Sequence, residues 1–160
     1  VNGRENTILL AASLAAALAL GVLALALGQD ANWDLRNYHL YNPYAWLEGR
    51  RGFDLLPAGR PSFYNPFLHL PLWLLTEALS AKGVAFVLGA AQGGLAFALI
   101  AAIAQRLLTE GPWRLPLALA CAATASLGGG AVGLLGTSFM DNVLGLFALG
   151  AVLILMGEVG

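Results

Sequence analysis

The residues with chemistry to offer are a few carboxylates, two histidines and a set of tyrosines. Asp34, Arg36, Tyr38, His39, Tyr64 and His69 all fall within Asp30–Pro71, the stretch that also carries every tyrosine and both histidines of the chain. Eight of the seventeen charged residues lie between Asp30 and Arg60, whereas the flanks are almost entirely Ala, Leu, Gly and Val. A carboxylate partly shielded from water can act as general base toward a hydroxyl when its pKa suits the task. It can also hold a divalent cation through its oxygens. Asp34, between Trp33 and Arg36, is the first candidate for such work. It stands equally where a helix cap would be placed, satisfying backbone N–H groups. Asp141, in the polar break Gly136–Asn142, is the second, with capping of the next helix as its alternative. Asp30 and Asp54 are weaker candidates, read as solvated loop acids.

The other polar groups are less specific. Arg36, Arg50, Arg51 and Arg60 can grip a lipid phosphate through two parallel hydrogen bonds or snorkel to headgroups. His39 and His69 are too few and too separated in sequence for a metal-ligand pattern, although either can hydrogen-bond a phosphate. No G-x-S-x-G, Walker or C-x-x-C signature is present. Cys121 is the only cysteine, so there is neither a disulfide framework nor a cysteine metal site. Lying in an apolar run, it reads as buried, inert packing.

The frame around these residues is made for lipid. The chain is 59% hydrophobic and 11% charged, with a mean hydropathy of +0.74, against roughly 25% charged residues in a soluble domain. A net charge of -1 argues against nucleic acid as a partner. The pattern predicts an all-α, multi-pass transmembrane bundle over 1–160, with spans at about 8–27, 84–104, 115–136 and 143–156 and a functional loop at 28–83. The first run is longer than the hydrophobic core of a signal peptide, roughly 7–15 residues, and reads as a retained span. From Leu35, the residues Tyr38, Tyr41, Ala45 and Trp46 recur at helical spacing, as in an amphipathic helix on the membrane surface that stops at Gly49. Phe63–Leu79, interrupted by Pro66, His69, Pro71 and Glu77, reads as a second juxtamembrane helix that does not cross. Gly89 and Gly93 make a G-x-x-x-G spacing, and Gln92 in mid-span requires a polar partner. The glycines between Gly128 and Gly136 favour bending or unwinding. If 63–79 does not cross, Arg4, Arg106 and Arg114 share the cytoplasmic side and Asp34 and Asp141 share the other.

The run W-D-L-R-N-Y-H-L-Y-N-P-Y-A-W-L-E-G after a first span, followed by S-F-Y-N-P-F-L-H-L-P, resembles the start of the GT-C class of integral-membrane glycosyltransferases, in particular the bacterial branch using polyprenyl-phosphate sugars. In that class the Asp shortly after the first helix is the catalytic base, a place matched by Asp34. Tyr64-Asn65-Pro66-Phe67 is similar to the proline-bearing stretch heading a juxtamembrane helix, and Asp141 sits where many members carry another acid. The resemblance implies a glycosyltransferase of the bacterial inner membrane, acting on the extracytoplasmic face. Its partners would be a lipid-linked sugar donor and membrane lipids, and its site would comprise Asp34 and Asp141 with Arg36, Tyr38, His39, Tyr64 and His69 binding substrate. The cofactor stays open, a divalent cation such as Mg2+ or Mn2+ being the candidate. The class has more spans, so a chain of about four reads as its N-terminal portion. The alternative is a non-enzymatic multi-pass membrane protein, a transporter fragment or assembly subunit, to which the glycine-broken helix would be suited.

Overall fold

The computed structural model of the protein describes residues 3–28 and 30–158. Along the chain run α1 (Gly3–Leu27), a π-helical turn (Leu35–His39), α2 (Tyr41–Leu47), a 3-10 turn (Arg60–Phe63), α3 (Leu70–Ala78), α4 (Ala81–Leu107), α5 (Arg114–Ser126), α6 (Gly129–Gly133) and α7 (Asp141–Glu158). No strand occurs among the described residues, and the class is all-α. Two helices, α1 and α4, are long and apolar enough to cross a membrane. At about 1.5 Å per residue they measure roughly 37 and 40 Å, against about 30 Å of hydrocarbon. On α1, Leu10, Leu14, Leu18 and Val22 lie four apart and are all more than half exposed, while Leu20, Gly21 and Ala24 are buried. A helix apolar on both faces with only one face packed needs an apolar solvent for the other.

α1 and α4 lie antiparallel, and small residues set how closely. A methyl group added at Gly89 or Gly94 would collide with Ala24 or Ala17, and one at Gly93 with Leu20. The G-x-x-x-G spacing is thus the seam itself. Ser80 opens α4 by accepting from the Gly83 N–H at 3.3 Å. The chain then turns back, and Phe97 and Ala101 of α4 pack with Ala122 of α5 against Leu9, Ala12 and Ala16 of α1. At this far end Arg114, itself buried, donates to Glu5 at 2.8 Å and pairs with Glu110. The start of α1 and the 108–113 connector therefore sit together. Cys121 corrects the expectation of a buried thiol: it is exposed, because α5 turns Ala118 and Ala122 inward.

The stretch 115–136 is not one continuous helix. α5 ends at Ser126, Gly128 is extended with ψ 144°, and α6 lasts five residues. Gly136 makes the turn after α6: its φ is +71°, and a Cβ there would lie 2.8 Å from Ala24 Cβ and 2.9 Å from the Ala85 carbonyl oxygen. Only glycine tolerates both conditions. The buried Gln92 side chain of α4 accepts from the Gly136 N–H at 3.1 Å and donates to the Thr137 carbonyl at 3.5 Å. This is the polar partner that a mid-span glutamine demands. α7 starts beside the middle of α4 and runs back toward the Arg114 end, where Arg106 donates to the Leu153 carbonyl.

Between α1 and α4, the segment 63–79 is α-helical only over the nine residues Leu70–Ala78. At about 14 Å it is less than half the hydrocarbon thickness. It packs on α2 and α4 and carries Leu72 into the interior.

Candidate functional site

Positive φ at Gly28 turns the chain out of α1, and Asn32 then organises the loop. Its Oδ1 accepts from the Leu35 N–H at 2.7 Å, so the amide NH2 faces the other way. That NH2 donates to Asp30 Oδ1 and, at 3.2 Å, to Ser138 Oγ. The Asp30 carboxylate also accepts from the Ser138 N–H at 2.6 Å. Ser138 Oγ, which accepts from Asn32, is also within hydrogen-bond distance of His39 Nδ1 at 2.8 Å, so one hydroxyl ties the loop to the His39 ring. Burial opposes a charge on His39 and lowers its pKa, with Asp34 and Asp30 pulling partly the other way.

Asp30 is thus no solvated loop acid, as its sequence context had implied. Burial works against its charge, but hydrogen bonds from Ser138 and Asn32 together outweigh it and hold the carboxyl below its ordinary range. Asn32 and Ser138 are the residues missed by the sequence, and Asp30 stands there only as a weaker candidate. The Asp30–Asn32 pair had a local signal, since an Asx side chain can bond backbone two residues on. Ser138 had none, because its partners lie about a hundred residues away.

The helix expected from Leu35 is broken in two. A π turn covers Leu35–His39 and α2 begins at Tyr41. Pro43 lacks an N–H, so an unbroken α ladder cannot run through it to His39, and the wider turn takes up the register. The buried face is consequently His39, Asn42, Pro43 and Ala45, and Trp46 lies on the exposed face. Asn42 donates to the carbonyls of Pro61 at 3.0 Å and Tyr64 at 3.3 Å, and Arg51 donates to the Tyr64 carbonyl at 3.2 Å.

These bonds draw four of the expected substrate-binding residues into one cluster. The His39 and His69 rings stack with centroids 4.1 Å apart. Tyr38 meets His39, Tyr64 and His69 edge-on at 4.5, 5.8 and 6.5 Å. Phe139 closes on His39 at 5.8 Å. The two histidines, far apart in sequence, are neighbours. His69 is buried with neither ring nitrogen partnered among the described residues. Burial first, and then the neighbouring His39, push its pKa down to about 4.

Asp34 adjoins this cluster. It is half-buried and makes no capping hydrogen bond, that duty having passed to Asn32. Its carboxylate stands by Tyr38, whose phenol pKa is raised by burial and then by the Asp34 charge. Arg36 is exposed and makes no hydrogen bond or ion pair among the described residues. Asp141 is not brought into the cluster. It is exposed in the first turn of α7 and lines a separate, mostly apolar cleft with Gln92, Ser126 and Asn142. The break that precedes it nevertheless lies against the first loop, through Ser138 and Phe139. Asp54 is engaged by Arg50, which also lies over Phe53. No three His, Cys, Asp or Glu side chains among the described residues converge as metal ligands. No family model, curated protein or solved structure matches the chain.

Proposed function

We propose that this chain belongs to a multi-pass GT-C glycosyltransferase of the bacterial inner membrane, its loop 28–83 extracytoplasmic and its donor a polyprenyl-phosphate sugar. The observation that carries the reading is Asp34. Its carboxylate is half-buried, free of capping duty and next to an aromatic cluster held in place by buried hydrogen bonds. A general base needs a carboxylate not already spent on the backbone, in a position fixed by its surroundings.

In the reaction so proposed, Asp34 takes the proton of the acceptor hydroxyl. The hydroxyl oxygen forms its bond to the anomeric carbon as the bond to the phosphate oxygen breaks, with inversion, and the electron pair leaves on the lipid phosphate. Arg36, exposed on the same turn as Asp34, can meet that phosphate, as arginines do where charge develops. His69 has two unspent ring nitrogens, and Tyr38 and Tyr64 offer faces for a sugar ring and hydroxyls for its polar edge.

The test is sugar transfer from a labelled polyprenyl-phosphate sugar by membranes containing the full-length protein. Asp34→Asn keeps the shape of the side chain and removes its basicity. Transfer should fall at least about a hundredfold, the lower end of what a positioned general base contributes, at unchanged protein level. Near-normal transfer by the variant would take Asp34 out of this role.

The rival, a non-enzymatic transporter or assembly subunit, draws on one observation, the helix broken between α5 and α6. Broken helices of that kind coordinate substrates in transporters. At this break the Leu127 and Gly128 N–H groups are already taken by the Ala123 and Ala125 carbonyls, and Gln92 and Gly136 secure the turn after α6, so the backbone here is engaged within the chain.

A further inference from the structure

We propose that the segment Arg50–Leu55, together with the neighbouring Trp46–Phe67 pair, seats in the headgroup layer of the membrane that α1 and α4 cross. Phe53 and Leu55 would enter the leaflet while Arg51 and Arg60 meet lipid phosphates. The proposal rests on the reading of α1 and α4 as spans and on nothing about sugar transfer.

Three observations support it. The first is inverted polarity: α2 buries Asn42 and Pro43 completely and turns Tyr44, Trp46 and Leu47 outward. Leu55 is 98% exposed, Phe53 80%, Phe63 67% and Phe67 59%, with Trp46 and Phe67 paired edge-on at 5.2 Å. A loop facing water would be built the other way round, since contiguous exposed apolar patches mark interaction surfaces. Tyr and Trp are also the residues preferred at the boundary between apolar and wet.

The second is charge. Asp54 is engaged by Arg50, and Arg51 and Arg60 have no carboxylate partner among the described residues. Exposed aromatics rimmed by arginines complement an anionic leaflet, where each basic residue adds attraction. The third is continuity: the loop leaves α1 at Leu27 and rejoins α4 at Ala81, so both of its ends are fixed at the ends of the two spanning helices.

A thiol-reactive bimane dye reads this directly. It is attached at Leu55→Cys, or at Leu18→Cys on the outer face of α1, in a Cys121→Ser background. The full chain is placed in bilayer discs of phosphatidylcholine with phosphatidylglycerol. Dye at position 55 should be quenched by a shallow doxyl lipid and shielded from aqueous iodide. Arg51→Gln with Arg60→Gln should weaken that seat by about fivefold per arginine in anionic discs and little in neutral ones. If iodide reaches position 55 while position 18 is lipid-quenched, the seat is wrong and the spans stand. If neither quencher reaches position 55, protein covers it, and a lipid seat is equally wrong. Failure of lipid quenching at position 18 would overturn the spans and this proposal together, leaving the Asp34 assay untouched.

Discussion

Burial of His69 beside His39 lowers its pKa from 6.5 to about 4, and that shift makes folding depend on pH. In the folded protein His69 stays neutral down to about pH 4, whereas in the unfolded chain it protonates near 6.5. Between these values the unfolded state binds more protons, so stability rises with pH across the window. The contribution is complete above 6.5 and lost as the pH falls toward 4. It amounts to roughly 2–3 kcal/mol over that interval. Replacing His69 by Phe keeps a flat ring on His39 and removes the titration. Unfolding by dodecyl sulfate in mixed micelles at pH 7.0, 5.5 and 4.5 should show the wild type losing stability on acidification and His69→Phe losing much less. Equal losses in both would place the pH dependence elsewhere. Asp30 acts in a lower range. Its carboxyl is held below the ordinary value, so the clamp on Ser138 persists above that range and opens only when the carboxylate is protonated.

At the scale of the elements, the α1–α4 seam is the joint on which the packing depends. Gly94 faces Ala17 with no room for a side chain, while Gly150 of α7 has open space around it. Gly94→Leu should therefore destabilise by about 1–3 kcal/mol through overpacking. Gly150→Leu should be neutral or slightly stabilising, since glycine costs a helix interior up to about 1 kcal/mol. Dodecyl sulfate unfolding followed by helical circular dichroism compares the two directly. If both substitutions behave alike, the seam is not where the helices meet. This seam was legible in the sequence, because a helix needs small residues at a fixed interval wherever another comes close. So were α1, α4 and the shortness of α3, which follow from apolar run length and from Pro66 and Pro71. The π turn was not legible, since helical spacing reads the same through Leu35–Trp46 until Pro43 is asked where its hydrogen bond goes. The site was half legible. Residue types picked out Tyr38, His39, Tyr64 and His69, but not that Asp30 and Ser138, far apart in sequence, hold them together.

For the molecule as a whole, the structure fixes which parts share an end, and the charge bias then predicts which end would face the cytoplasm. Glu5 and Arg114 meet at one end. Asp30, His39 and Ser138 meet at the other. A raw count of basic residues points the wrong way for an extracytoplasmic loop, because Arg36, Arg50, Arg51, Arg60 and Lys82 lie in 28–83 and only Arg4, Arg106 and Arg114 lie at the opposite end. The orienting bias acts, however, within about 15–20 residues of the span ends. By that measure Arg50, Arg51 and Arg60 drop out, each more than twenty residues from Leu27 and from Ala81. Arg4, Arg106 and Arg114 then outweigh Arg36 and Lys82. The loop 28–83 should accordingly face away from the cytoplasm. In a Cys121→Ser background, a membrane-impermeant maleimide should label Asn65→Cys in intact bacteria and label Thr109→Cys only after permeabilisation. Both positions are exposed, so a failure to react reports sidedness rather than burial. The reverse pattern would put Asp34 on the cytoplasmic side, and equal labelling of both in intact cells would mean that α1 and α4 do not separate two compartments.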